Sequence, residues 1–324
     1  MKIDFSVVIP LYNKAKEIIH TLEGVASQRY APMEVIVVDD GSTDGGAELV
    51  EQMKAQLPTL QLIRQANGGV SVARNCGIAH ARGNYIALLD ADDFWKPEYL
   101  ERVTGLIERY PGCGMYCMGF EVHRPEGVFP NETGMQEGVV ANYFRTAMHV
   151  NLTQTSSVTI PRAVFEQLGG FPEGMKLGED QYVWTKIARN YPICYSPQRY
   201  SEFNLMAQNR SAQNYTMEQT PYSFWEFYDP STPDCNEFIA RCEIGKALVH
   251  TIYGYTVAAR EVERRYAYNR HYRLGWWKLW VLNRLPVAWR RPLLDLYKRV
   301  TWLISKKGLL GIAILYLKSS LALY

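Results

Sequence analysis

Paired cysteines are missing from this 324-residue chain: Cys76, Cys113, Cys117, Cys194, Cys235 and Cys242 form no C-x-x-C pair and no Cys/His spacing suited to zinc. They read as free thiols of a reducing compartment, the cytosol by default. No G-x-G-x-x-G follows the first strand-like run and no G-x-x-x-x-G-K-S/T occurs, so neither a Rossmann dinucleotide site nor a P-loop is supported. Long apolar runs are absent as well. The longest, residues 308–317, has ten residues before Lys318, well short of the roughly 20 that span a bilayer as a helix. Met1-Lys2-Ile3-Asp4-Phe5 leads directly into a strand, without an h-region or a small-residue cleavage site. Secretion through a signal peptide is therefore not expected, and the Asn131-Glu132-Thr133 sequon should carry no glycan.

What is present is globular in composition, with 47% hydrophobic and 21% charged residues, long enough for one large α/β domain with an appendage or for two domains. The formal net charge of +2 hides an asymmetry. Residues 260–324 hold 14 Lys and Arg against only Glu261, Glu263 and Asp295, a local +11 that leaves about −9 for the remainder. Such a split points to a neutral or acidic body with a basic tail that seeks an anionic surface.

Short β-branched runs bounded by turn residues, 5–10 and 34–39, have the signature of buried parallel strands, and 60–65 and 85–90 extend the set. Residues 14–28, 45–57 and 70–82 predict helices between them, so the chain opens as right-handed βαβ units of a doubly wound, nucleotide-binding kind. From about 111 the alternation weakens: 113–122 predicts a strand, 125–138 a loop, and 158–167 a strand followed by a helix. The expected division is 1–110, 111–235 and a helical region 236–324, with Pro292 suited to a first helical turn.

Leu88-Leu89-Asp90-Ala91-Asp92-Asp93 sets carboxylates directly after an apolar strand, at the edge where open α/β sheets bind ligands. Those oxygens suit a hard cation such as Mg²⁺ or Mn²⁺ that in turn carries a nucleotide diphosphate; a solvated acidic turn is the bland alternative. The first strand ends in Pro10-Leu11-Tyr12-Asn13 and the second in Asp39-Asp40-Gly41-Ser42-Thr43-Asp44. A carboxylate there accepts from a pyrimidine N–H while Tyr12 stacks on the base, or the same residues form an Asx-rich turn capping the helix from Gly45. In the run from Asn67-Gly68-Gly69 to Ala73-Arg74-Asn75, glycines allow close backbone approach. Arg74 serves either a phosphate or a salt bridge to Asp39, Asp40 or Asp90.

Ile9-Pro10-Leu11-Tyr12-Asn13, Val37 to Asp44, Asn67 to Gly77 and Leu89-Asp90-Ala91-Asp92-Asp93, in this order and spacing, resemble family 2 glycosyltransferases of the GT-A fold over about residues 4–205. The resemblance implies an α/β fold, a Rossmann-like mixed sheet flanked by helices, with the C-terminal helical extension uncovered. It implies that Pro10, Tyr12, Asn13 and Glu17 line the nucleotide pocket, and that Asp40 reads the base; Arg74, in its phosphate-facing role, would join the same donor site. Asp90 would then face the ribose and metal, and Asp92 would ligate Mg²⁺ or Mn²⁺ on the diphosphate. Downstream, Gly169-Gly170-Phe171-Pro172 and Gly178-Glu179-Asp180-Gln181 resemble the family's acceptor-side motifs, which makes Asp180 the catalytic base. An inverting transfer needs such a carboxylate to take the acceptor hydroxyl proton; the same acidic pair also suits a helix N-terminus electrostatically.

Two departures refine the expectation. The Gln-x-x-Arg-Trp motif and several membrane spans of processive synthases are absent, which implies transfer of a single sugar. Asn209-Arg210-Ser211 stands near where relatives carry a loop Ser, leaving Arg210 as the diphosphate-facing candidate. The resemblance thus implies a nucleotide-diphosphate sugar donor, a UDP-sugar foremost, and a glycan or lipid-linked acceptor in cell-surface polysaccharide biosynthesis. Trp276, Trp277, Trp280, Trp289 and Trp302, five of eight tryptophans, share the basic tail. That pairing suits an anionic membrane surface and a peripheral, cytoplasmic location on the inner face of the membrane, with packing on the body or an oligomer seam as the alternative. Nucleic acid fits the clustered Trp and aliphatic residues less well. A sugar nucleotidyltransferase lacks its triphosphate loop at Leu11-Tyr12-Asn13-Lys14; a catalytically silent sugar-nucleotide or glycan binder is the remaining rival.

Overall fold

The computed structural model describes residues 2–208, 216–217 and 220–306, with the backbone course alone for 297–306. Arg210 and the apolar run 308–317 lie outside the described residues. The chain divides into two compact units: Met1–Tyr143 with Leu152–Met175 and Tyr182–Arg210, and Phe144–Asn151 with Lys176–Gln181 and Ser211–Tyr324.

In the first unit, β1 (Phe5–Leu11) is buried along nearly its whole length because apolar residues face both sides. It pairs in parallel with β2 (Glu34–Asp39) and β4 (Tyr85–Leu88), and β2 pairs in parallel with β3 (Leu60–Arg64). Helices α1 (Ile18–Ala26), α2 (Gly46–Met53) and α3 (Val70–His80) make the expected crossovers. Phe5, Val7, Ile9 and Leu11 share a core with Leu22, Val25, Val35 and Val37, each burial stabilising by about 1.5–3 kcal/mol. α1 starts later than predicted, because residues after Asn13 first make a turn in which Lys14 O accepts from Glu17 N (3.1 Å) and Ile18 N (2.9 Å).

Beyond β4 the sheet becomes mixed. Strands β5 (Phe94–Trp95), β6 (Met115–Arg124), β7 (Gly127–Pro130), β8 (Gly138–Val139), β9 (Val158–Pro161) and β10 (Ile193–Asn204) complete one ten-stranded sheet of order β3-β2-β1-β4-β9-β6-β10-β5, with β7 on β6 and β8 on β10. β9 runs antiparallel to both β4 and β6, whereas β6 and β10 are parallel. Residues 1–110 and 111–205 therefore share one sheet. The loop predicted for 125–138 contains β7 and part of β8; β7 is exposed throughout, so no hydrophobic alternation announces it. Helices α4 (Tyr99–Arg109), α5 (Tyr143–Ala147), α6 (Arg162–Leu168) and α7 (Glu179–Ala188) connect these strands.

The second unit is helical. Its α8 (Pro233–Ile252) is buried nearly all round, with Phe238, Ile239 and Ile244 but also Glu237, Arg241, Glu243 and Lys246. That explains the weak periodicity of its sequence. The Glu237 carboxylate accepts from Arg270 N (2.7 Å) and His271 N (3.0 Å), and buried Arg290 donates to Thr251 O (2.8 Å) and Thr256 Oγ1 (2.7 Å). Helices α9 (Thr256–Arg265), α10 (Arg273–Leu282) and α11 (Val287–Lys306) follow. Pro292 does not open a helix as expected; it lies inside α11, which starts just after Pro286. The proline's fixed φ suits a helix, and the missing N–H leaves one carbonyl of the preceding turn without its helical donor. No helix among the described residues is long and apolar enough to cross a membrane.

Candidate active site

The C-terminal ends of the parallel strands gather the motif residues of the first unit. β1 stays paired with β2 through Leu11, and Tyr12, just beyond it, is 42% exposed. Asn13 then takes a left-handed backbone with φ of 52°, which Asn tolerates better than most residues. It ties two strand ends together: its N–H donates to Ser42 Oγ (3.0 Å) and its Oδ1 accepts from Thr43 N (2.8 Å). Asp39 accepts from Ser42 N (3.0 Å), and Asp44 accepts from Ala15 N (2.8 Å) and Gly46 N (3.0 Å). Glu17 occupies the N-cap position of α1.

Asp40 is buried and shapes the glycine loop. Its Oδ1 accepts from Gln65 Nε2 and Gly68 N, and its Oδ2 from Gly69 N, all at 2.8 Å. A carboxylate has about four acceptor positions, and donors among the described residues fill three of them. Gly69 sits at φ of 92°, a value that suits glycine, and α3 begins immediately after it. On α3, buried Arg74 places Nη2 2.7 Å from Asp90 Oδ1 and lies 5.0 Å from the Phe171 ring centroid. The contact with Asp90 is one of the salt bridges expected for Arg74. Asn75 grips the downstream motif: its Oδ1 accepts from Phe171 N (2.7 Å) and its Nδ2 donates to Phe171 O (2.9 Å).

The acidic run divides its labour. Asp90 N donates to Ser156 Oγ (2.9 Å), while its side chain faces Arg74. Asp92 Oδ2 lies 2.7 Å from Lys14 Nζ, which also donates to Gln208 O (2.6 Å). Asp93 turns inward, accepting from Gln154 Nε2 (2.8 Å), Ser156 Oγ (2.6 Å) and Asn204 N (2.9 Å). Burial raises its carboxyl pKa well above the usual carboxylate range; the charges of Asp92 and Asp90 add to this, and hydrogen bonds from Ser156 and Asn204 oppose it. Ser156 O in turn accepts from Trp95 Nε1 (2.5 Å) and Ser201 Oγ (2.9 Å). The motif reading missed Ser156, Gln154 and Lys14. The buried polar run Thr153-Gln154-Thr155-Ser156-Ser157 just before β9 was the available signal.

Asp90 and Asp92 bring partly exposed carboxylate oxygens to the strand edge, hard donors that fit Mg²⁺ or Mn²⁺. One or two carboxylates completed by substrate phosphates is the usual Mg²⁺ arrangement. Each carboxylate already has a cationic side chain against it. A second cluster, Glu121, His123 and Glu202, brings potential ligand atoms within 4.8 Å of one another. Lys96 Nζ stands 2.7 Å from Glu121 Oε2 and 4.0 Å from Glu202 Oε1, so this group is an ion-pair cluster. Asp180 is the second residue of α7, entered through Gly178 at φ of 76°. It belongs to the second unit, whereas Asp90 and Asp92 belong to the first.

A parallel half continued by antiparallel strands, with carboxylates at its strand ends, is the GT-A fold. Residues 6–162 match the model of Glycosyl transferase family 2. It is 40% identical over 104 residues to the uncharacterized glycosyltransferase alr2836 of Nostoc sp., covering 32% of each chain. To glycosyltransferase GlyA of Streptococcus pneumoniae it is 28% identical over 193 residues, 56% of this chain and 27% of that one. The matches span about a third of the length of these relatives. Among solved structures, S. aureus TarS in complex with UDP-GlcNAc is similar in fold, with a TM-score of 0.59 and 24% identity over 73% of this chain and 65% of that chain.

Proposed function

We propose that the protein transfers a single sugar from a nucleotide-diphosphate donor to a glycan or lipid-linked acceptor, with inversion, in the building of a cell-surface polysaccharide. The observation that carries the reading is the meeting of Asn13, Asp40, Asp90 and Asp92 at one edge of the sheet. Tyr12, with Pro10 and Glu17 nearby, would take the base, and the remaining acceptor position of Asp40 would read its N–H. Arg74 holds Asp90 toward the ribose. Asp92, with Asp90, would hold Mg²⁺ or Mn²⁺, which supplies charge neutralisation to the departing diphosphate. Asp180 would accept the acceptor hydroxyl proton as the new bond to the anomeric carbon forms and the bond to the diphosphate breaks. Most of the rate enhancement then comes from positioning. A UDP-sugar is the first donor to try, since TarS, similar in fold, was crystallised with UDP-GlcNAc and with UDP. The basic tail supports a peripheral site on the inner, anionic face of the cell membrane.

A panel of UDP-, GDP- and dTDP-sugars, each with Mn²⁺, Mg²⁺ or EDTA, tests the reading by thermal shift and donor hydrolysis. The expected result is metal-dependent stabilisation by one nucleotide, with slow sugar release that Asp180→Asn removes while leaving nucleotide binding in place. No response to any nucleotide would return the chain to a catalytically silent binder.

A further inference from the structure

The four tail tryptophans whose side chains are described have two different fates. Trp276 Nε1 donates to Glu263 O (2.8 Å), and the Arg284 guanidinium stacks 4.0 Å from the Trp280 ring centroid, so these two belong to the packing of the helical unit. Trp277 and Trp289 instead stand 49% and 67% exposed. Leu274, Trp277 and Val281 are all exposed and recur at three- and four-residue steps, which places them on one face of α10. Trp289, Leu293 and Leu296 repeat the pattern at the start of α11. Exposed apolar stripes of this extent mark an interaction surface.

Charge selects the partner. From 264 to 306 the sequence holds eleven Lys and Arg and a single acid, Asp295. Arg270, Arg273, Arg284 and Arg291 are exposed on or next to the two helices. Arg284 also lines an open pocket of about 380 Å³ together with Arg260, Arg264 and Glu263. Guanidinium forks match phosphate oxygens, and Trp rings settle at the headgroup level of a bilayer.

We infer that the Leu274/Trp277/Val281 and Trp289/Leu293/Leu296 faces seat on a bilayer with anionic phosphate headgroups, apolar side chains entering the acyl boundary and arginines pairing with phosphates. No described helix can span, so the helices lie on the surface. This deepens the membrane reading above by naming its surface, and it does not rest on donor chemistry.

The test is flotation of the full chain with vesicles of phosphatidylcholine alone and of phosphatidylcholine mixed with phosphatidylglycerol, alongside intrinsic tryptophan emission. The wild type should float with the anionic vesicles only, with a blue shift. Trp277→Ala/Trp289→Ala should weaken binding at least tenfold and abolish the shift while keeping the wild-type melting temperature and nucleotide response. Trp280→Ala should lower the melting temperature, with its folded fraction binding vesicles as the wild type does. Failure of the wild type to bind anionic vesicles would overturn the assignment, as would unchanged binding by the double variant. So would a dimer in sedimentation that the double variant dissolves without any vesicle binding.

Discussion

Lys14 and Arg74 each hold one carboxylate of the Asp90/Asp92 pair, so the divalent cation proposed for Asp92 would have to compete with an ammonium 2.7 Å away. Lys14→Met removes the competitor. The expected outcome is Mn²⁺ binding about tenfold tighter in the presence of UDP, on the order of 1.4 kcal/mol, read by electron paramagnetic resonance of free Mn²⁺. Unchanged affinity would show that the ammonium does not compete. Lys14 was invisible as a site residue because its partner lies 78 positions along the chain. The acidic run shows the same limit. Asp90, Asp92 and Asp93 are chemically identical side chains, and only burial separates the inward Asp93 from the two that face the strand edge. Asp40 was legible as a strand-end carboxylate, but its hold on Gly68 and Gly69 was not.

Elements were legible where their environment imposes a period. The parallel strands β1 and β2 are apolar because both faces are covered, whereas β7, open to solvent, has no alternation to read. α10 offers a measurable consequence of partial burial. Lys278 on it has its pKa pushed down to about 8 by desolvation. The folded state therefore binds this proton more weakly than the unfolded chain, whose lysine keeps the ordinary value of 10.5. Stability should rise as pH climbs from about 8 toward 10.5, and the full penalty applies below about 8. Lys278→Met should raise the melting temperature at pH 7 by a few degrees, about 1 kcal/mol after allowing for the water that still reaches the group. It should also flatten the profile across that window, as thermal melts at successive pH values would show.

Across the whole molecule a near-neutral total conceals a strongly basic tail and an acidic remainder. Vesicle binding should therefore fall steeply as salt rises from about 0.1 M to 1 M, where the Debye length shrinks from about 10 Å to 3 Å. A residue of binding should survive, because insertion of Trp277 and Trp289 is apolar and unscreened; flotation across a salt series measures both parts. The order of the motifs, the βαβ opening and the charge split were all determined by the sequence, since they rest on local periodicity, chain order and composition. Which carboxylate turns inward, which cation guards Asp92, how Asn75 grips Phe171, and which two of the four described tail tryptophans face water were decided only by the tertiary structure. Burial and hydrogen-bond partners are properties of neighbours brought together from distant positions, and no local pattern encodes them.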